Sequence, residues 1–270
     1  MAGNDLKKRL NCPECPRRSV GVFCGLSGKE LSLLDSSKTA NAYGKSQIVF
    51  HEGDAPIGAF CVFSGRIRLS RSTKDGKSMT VRLIEPGELF GHQAILSGQP
   101  YPGTAEALED SILCFIAKNT LLKLMDRSHA LALEVARQVS RELLKAEKKM
   151  QSLGQYPALA RLAMLLLHLG NDRQSYASRT LHPSGPPAGA RSSPLAARAS
   201  IVPELCEGAG KPSEIDLSRR VLAEMVGITE ESCVRILKRL KQQGIISSQN
   251  RKIELLDPKT LQELADGVVR

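Results

Sequence analysis

Between residues 46 and 116 the apolar positions come in short runs: Gln47–Phe50, Ala59–Phe63, Arg66–Ser70, Thr80–Ile84 and Ser111–Ile116. Glycines at 53, 65, 76, 87 and 98 separate them at steps of 11 or 12 residues. Short strands with turn residues at that pitch predict an antiparallel barrel or sandwich. Asp75–Gly76 is a hairpin-turn dipeptide within it. From Lys118 the step changes to three and four. Leu121, Leu122, Leu124 and Met125 predict one helix. Leu131, Leu133, Val135, Val139, Leu143 and Leu144 predict a second, long one over 128–153, stopped by Gly154 and Pro157.

A small barrel has too little surface to cover a stripe of that length. A second copy of the chain would cover it, so Val135, Val139 and Leu143 are candidates for a dimer seam, with an intrachain core stripe as the alternative. A connecting helix over Ala158–Leu169, within 154–170, follows. Residues 171–212 then turn rich in Ser, Ala, Gly, Pro and Arg, which reads as a flexible insertion. Its four arginines (173, 179, 191 and 198) leave open a contact with DNA backbone.

Residues 213–270 carry the densest local pattern. L-S-R-R-V-L-A-E-M-V-G-I-T-E-E-S-C-V-R-I-L-K-R-L predicts a helix, a glycine turn at Gly227 and a second helix. Ser218 and Thr229 are placed to cap them. Leu222, Ala223, Met225 and Val226 are the packing face of the first helix, while Cys233, Ile236, Leu237 and Leu240 bury the second. That layout fits a helix-turn-helix, whose second helix enters the major groove of DNA by its N-terminal residues. A hairpin, I-I-S-S-Q-N-R-K-I-E-L, follows as a wing.

Charge sharpens this reading. The chain carries 38 Lys and Arg against 28 Asp and Glu, a formal net charge of +10, which favours a polyanionic partner. From Ser232 to Ile253 there are six basic residues and no acid. Arg235 is suited to donate in pairs to guanine and Glu231 to accept from cytosine. Phosphate contacts are assigned to Arg219, Lys238, Arg251 and Lys252, and Thr229, Glu230, Ser232 and Val234 complete the reading end. No window approaches about 18 consecutive apolar residues, and no apolar run follows the N-terminal charges, so a cytoplasmic protein without a membrane span is expected. Seven cysteines in such a chain read as thiols, metal ligands or redox groups rather than disulfides. No P-loop, H-E-x-x-H or nucleophile elbow is present, so an enzyme is not expected.

The order of parts is a cysteine-bearing segment at 1–27, a β-roll at 28–127, a long helix and a winged helix-turn-helix. With P-G-E-L-F-G at 86–91, F-S-G-R-I-R-L at 63–69 and the Glu231–Arg235 pair after I-T, it resembles the CRP/FNR family of bacterial transcription regulators. The resemblance implies an α+β chain: an N-terminal antiparallel β-roll of the cyclic-nucleotide-binding jelly-roll kind, a dimerisation helix and a C-terminal winged helix-turn-helix. It further implies a homodimer on a palindromic double-stranded promoter site with T-G-A in each half, working with RNA polymerase.

The cyclic-AMP branch follows its G-E-L signature with an Arg-Ser pair. Here the stretch reads S-G-Q-P-Y-P-G-T-A-E-A-L, without arginine, so cyclic nucleotide is disfavoured. Cys12, Cys15 and Cys24, spaced C-x2-C-x8-C, together with Cys114 in A-L-E-D-S-I-L-C-F-I, resemble the ligand set of FNR-type oxygen sensors, although the eight residues after Cys15 exceed that pattern's second gap. The resemblance implies one [4Fe-4S] cluster per subunit. Zinc, a thiol switch or a small-molecule effector remain alternatives. Cys61 reads as a barrel-core residue, Cys233 as a small helix hydrophobe, and Cys206 as a bystander or substitute ligand. His92 reads as a turn or surface histidine.

Overall fold

A computed structural model of the chain describes residues 10–19, 21–76, 78–181, 214–249 and 252–267, with 171–181 as backbone only. It divides into two units, 1–151 and 152–270. No helix among the described residues is long and apolar enough to cross a membrane.

The first unit opens with helix α1 (Gly28–Ser37), followed by β1 (Thr39–Tyr43), β2 (Ile48–Phe50), β3 (Gly58–Ser64), β4 (Ile67–Ser72), β5 (Ser78–Ile84) and β6 (Leu89–Phe90). After a short helix α2 (His92–Ser97) come β7 (Thr104–Ala107) and β8 (Ser111–Ala117), then α3 (Lys118–Arg127) and α4 (His129–Gln155). The strands form two four-stranded antiparallel sheets, in the orders β1-β8-β3-β6 and β2-β7-β4-β5. This is the expected roll. Glycines 53, 65, 76, 87 and 98 all sit at its turns with positive φ. At Gly65 no other residue fits: φ is 82°, and a Cβ there would fall 2.1 Å from Ser111 Oγ.

Between the sheets lie Phe50, Phe60, Phe90 and Tyr101, with Phe50 and Tyr101 stacked at 3.9 Å. The Tyr101 hydroxyl donates to Gly58 O at 2.6 Å, so its polar end is satisfied inside the core. A second apolar layer covers the outer face of the β3–β8 sheet, where Val22, Phe23 and Leu26 pack with Leu34, Leu121, Leu124, Leu131 and Val135.

The second unit holds α5 (Ala158–Leu181), β9 (Glu214–Ile215), α6 (Arg219–Val226), α7 (Glu230–Gln242), β10 (Ile246–Gln249), β11 (Lys252–Leu255) and α8 (Pro258–Ala265). The strands pair antiparallel in the order β10-β11-β9. Leu162, Ala163 and Leu166 of α5, Leu222 of α6, Leu237 and Leu240 of α7, and Leu261 of α8 are buried.

Several boundaries differ from the sequence reading. Strands begin at Thr39 rather than near residue 46, and α1, β1, β6, α2 and β7 lie outside the runs that the hydrophobic pattern picks out. Helix α4 passes through Gly154 to Gln155, since one exposed glycine lowers helix propensity without ending the helix and Pro157 supplies the stop. Helix α5 runs on to Leu181, into the segment assigned to the insertion. Residues 182–212, with Arg191, Arg198 and Cys206, lie outside the described residues, as does Arg251.

Candidate functional site

Strand alternation decides which cysteines meet. On β3, Phe60 and Val62 face the interior of the roll, whereas Ala59 and Cys61 face outward. On β8, Leu113 and Phe115 point inward, and Ile116 packs against the outer layer. The ladder sets Cys61 directly opposite Cys114. Residues 10–19 and 21–26 run over this outer face, and C-P-E-C closes a turn in which Cys15 N donates to Cys12 O at 3.3 Å.

Cys12, Cys15, Cys61 and Cys114 thereby line one cavity of about 50 Å³, together with Leu34 and Phe63. Cys24 is exposed and does not line it. Cys61 is therefore no barrel-core residue; it lies with Cys12 against the outer layer. Its signal was legible in A-F-C-V-F, where alternation puts Phe60 and Val62 on one face and Cys61 on the other.

The electrostatics of the cavity favour protonated thiols. Burial pushes Cys12 up to about 11 and Cys114 up to about 12, against the pull of Lys38, and lifts Cys61 well above its ordinary value. Lys38 is 3% exposed, and its ammonium donates to Asp35 Oδ1 at 2.5 Å. Burial disfavours its charge, but Asp35 together with the neighbouring Cys12 and Cys114 keeps its pKa raised. The same carboxylate accepts from Cys12 N at 2.7 Å, tying the cysteine turn to α1. Among the described residues no three His, Cys, Asp or Glu side chains converge closely enough to hold a single metal ion. The donor set is four sulfurs spread around an apolar cavity. Cysteine sulfur is the donor type that soft, thiolate-held groups take, and binding such a group would displace thiol protons.

A second buried polar group joins α4 to the roll. Glu142 forms an ion pair with Arg82 of β5 and accepts from Gln138 Nε2 at 2.7 Å and Gln93 Nε2 at 2.6 Å. His92 is 1% exposed, with Nε2 3.6 Å from Glu142. Burial holds its pKa below the usual value, against the pull of Glu142. His92 is thus an interior histidine, not a turn or surface one.

The same helix has two apolar faces. Leu131 and Val135 are buried within their own unit, while Leu133, Leu143, Leu144 and Met150 are exposed and Val139 is half-buried. Val135 accordingly belongs to the intrachain core rather than to a seam, and Val139 and Leu143 lie on the outward side.

In the second unit both expected caps form. Ser218 Oγ accepts from Val221 N, and Thr229 Oγ1 from Ser232 N, each at 3.2 Å. Gly227 turns the chain with φ 73°. Glu230 and Glu231 occupy the first turn of α7 and Arg239 and Lys241 the last, the arrangement a helix dipole favours. Glu231, Val234, Arg235 and Lys238 are exposed along the helix, and Arg235 Nη2 donates to Ser232 Oγ at 3.2 Å.

Two of the residues assigned to phosphate contacts also have partners within the unit. Arg219 is half-buried and donates to Ser248 Oγ at 2.6 Å, joining α6 to the wing. Lys252 pairs with Glu214 at 3.0 Å across β11 and β9.

The comparisons agree with this geometry. The cyclic nucleotide-binding domain family matches residues 40–128, and the Crp-like helix-turn-helix domain family matches residues 160–264. The chain is 26% identical over 247 residues to the cyclic AMP receptor protein of Thermus thermophilus, covering 92% of this chain and 97% of that one. It is 24% identical over 257 residues to the anaerobic regulatory protein of Pasteurella multocida, covering 95% and 83%. Among solved structures, FixK2 from Bradyrhizobium japonicum superposes with a TM-score of 0.64 at 24% identity, covering 84% of this chain and 96% of that one. That last likeness is one of fold.

Proposed function

We propose that the chain is a DNA-binding transcription regulator of the CRP/FNR type that senses oxygen or redox state through an iron–sulfur cluster held by its cysteines. The observation that carries this reading is the single apolar cavity lined by Cys12, Cys15, Cys61 and Cys114. Its relatives include proteins named for anaerobic regulation, among them the one from Pasteurella multocida.

When bound, such a group supplies an oxidant-sensitive centre whose integrity depends on its thiolate ligands. The chain's own residues do the rest. The cysteine turn is held by Asp35, and Cys114 is fixed in β8, so ligation there would tie the N-terminal segment to the sheet. The segment and α4 share one apolar layer, in which Val22, Phe23 and Leu26 pack with Leu131 and Val135. The ligand state of the thiols thereby bears on how firmly α4 is seated. For this to act as a signal, ligation must stabilise the DNA-binding state more than the other state.

In this reading two copies pair through the outer stripe of α4, with Val139, Leu143 and Met150, and set two α7 helices on a palindromic site. Glu231 and Arg235, four apart on one exposed face of α7, would read the G·C step of each T-G-A half. Thr229, Glu230, Ser232 and Val234 line the same end, and Lys238 meets phosphate.

Cyclic nucleotide fits less well. Arg82 is engaged by Glu142, and a phosphate beside it would face Glu88 and Glu142 as well. The reading is tested by anaerobic purification, with iron, sulfide and zinc analysis beside the visible spectrum. Iron and acid-labile sulfide with broad absorption in the blue support it. Stoichiometric zinc with a colourless protein overturns it.

A further inference from the structure

We propose that the fourth thiolate of this site is Cys61 on β3, in place of Cys24. The assignment rests on the cluster reading above and names its ligands differently from the spacing pattern.

Three observations carry it. Cys61 lines the cavity that Cys12, Cys15 and Cys114 line, and Cys24 does not. Cys61 is the direct cross-strand partner of Cys114, so two sulfurs project side by side from one rigid ladder toward the turn that bears the other two. Cys24, by contrast, is exposed at the end of a segment whose neighbours Val22, Phe23 and Leu26 are buried in the outer layer.

The result is a two-plus-two set, with Cys12 and Cys15 on a turn and Cys61 and Cys114 on a sheet. It removes the need for the long Cys15–Cys24 spacing to reach around the site. Charge is consistent as well: Arg17, Arg18 and Lys38 also line the cavity and offset the thiolates that form when each cysteine exchanges its proton for a bond to iron.

The test uses the full chain, reconstituted anaerobically with iron and sulfide. Iron and sulfide per chain and visible absorption are read for the wild type and for Cys12→Ser, Cys24→Ser, Cys61→Ser and Cys61→Ala. Far-ultraviolet circular dichroism and the thermal midpoint of the iron-free proteins report the fold. Cys24→Ser is expected to keep the wild-type complement, while both Cys61 variants and Cys12→Ser fall to background.

A second measurement needs no variant. Alkylation of the wild type, read by mass spectrometry, should modify Cys24 equally with and without iron. Loss of iron in Cys24→Ser, retention in a folded Cys61 variant, or iron-dependent protection of Cys24 would each overturn the assignment while leaving the cluster reading intact. A wild-type chain that takes up no iron would defeat the cluster reading and the assignment together.

Discussion

Glu142 offers the sharpest test of how α4 is fastened to the roll. Its side chain is 9% exposed and that of Arg82 is 16% exposed, so the pair is screened far less than a surface bridge. Glu142→Ala leaves the Arg82 guanidinium without its close carboxylate and removes the acceptor for Gln138 and Gln93. Deleting one member of a buried pair costs about 3–5 kcal/mol where the remaining charge is left uncompensated, and Glu88, 3.7 Å from Arg82, holds the loss to the lower end of that range. For a unit of this size that corresponds to a fall of roughly 6–20 °C in Tm. The double variant Arg82→Met, Glu142→Leu removes both charges and should lie nearer the wild type than Glu142→Ala does. Thermal unfolding followed by circular dichroism at low and high salt measures this. A loss below about 1 kcal/mol in Glu142→Ala would refute the reasoning, since it is the value of an exposed pair.

Other expectations follow from the same packing. Burial depresses the His92 pKa below its ordinary 6.5, with Glu142 and Arg82 as the charged groups acting on it. The folded state therefore resists protonation there, and this share of stability is present above about pH 6.5 and is lost as pH falls below it. The Tm of His92→Gln should decline less than that of the wild type between pH 7 and pH 5.5; parallel declines would contradict this. Leu143 is 59% exposed on the outer stripe of α4, so Leu143→Glu should give a monomer in sedimentation without lowering the Tm of the roll, and an unchanged dimer mass would place the seam elsewhere. Arg235→Ala should cost about 1–3 kcal/mol per half-site and relax the preference for G, whereas Lys238→Ala should weaken all duplexes alike and lower the salt slope by about one. Selection from random DNA that returns the same G preference with Arg235→Ala would remove that residue from base reading.

How much of this was legible in the sequence depended on how local each cause is. The strands β3, β5 and β8 and their glycine turns could be read because period and turn chemistry lie within a few residues of each other. The two-residue β6 and T-A-E-A of β7 carry no such run and are strands only because their neighbours pair with them. The capped helices α6 and α7 announced themselves through Ser218, Thr229 and Gly227. The interior role of His92 depends on Glu142, supplied by a distant helix, and no local pattern encodes that meeting. The pairing of Lys252 with Glu214 depends on the register of β11 on β9, which no local pattern encodes. The cysteine site was half legible. The C-x2-C turn and Cys114 stood out by resemblance, but spacing pointed to Cys24, while pairing of β3 with β8 brings Cys61 to the cavity. For Val135, helical period alone could not say which of two apolar faces on α4 is inward.

In the proposed mechanism, ligation of the thiols controls reading of DNA. Its most direct test is the affinity of the anaerobically loaded protein for a palindromic T-G-A duplex, measured by anisotropy at fixed salt before and after exposure to air, with iron content followed in the same samples. Tight, sequence-dependent binding is expected, falling toward the non-specific level as iron is lost and returning on anaerobic reconstitution. Equal affinity in the loaded, air-exposed and iron-free samples would contradict it.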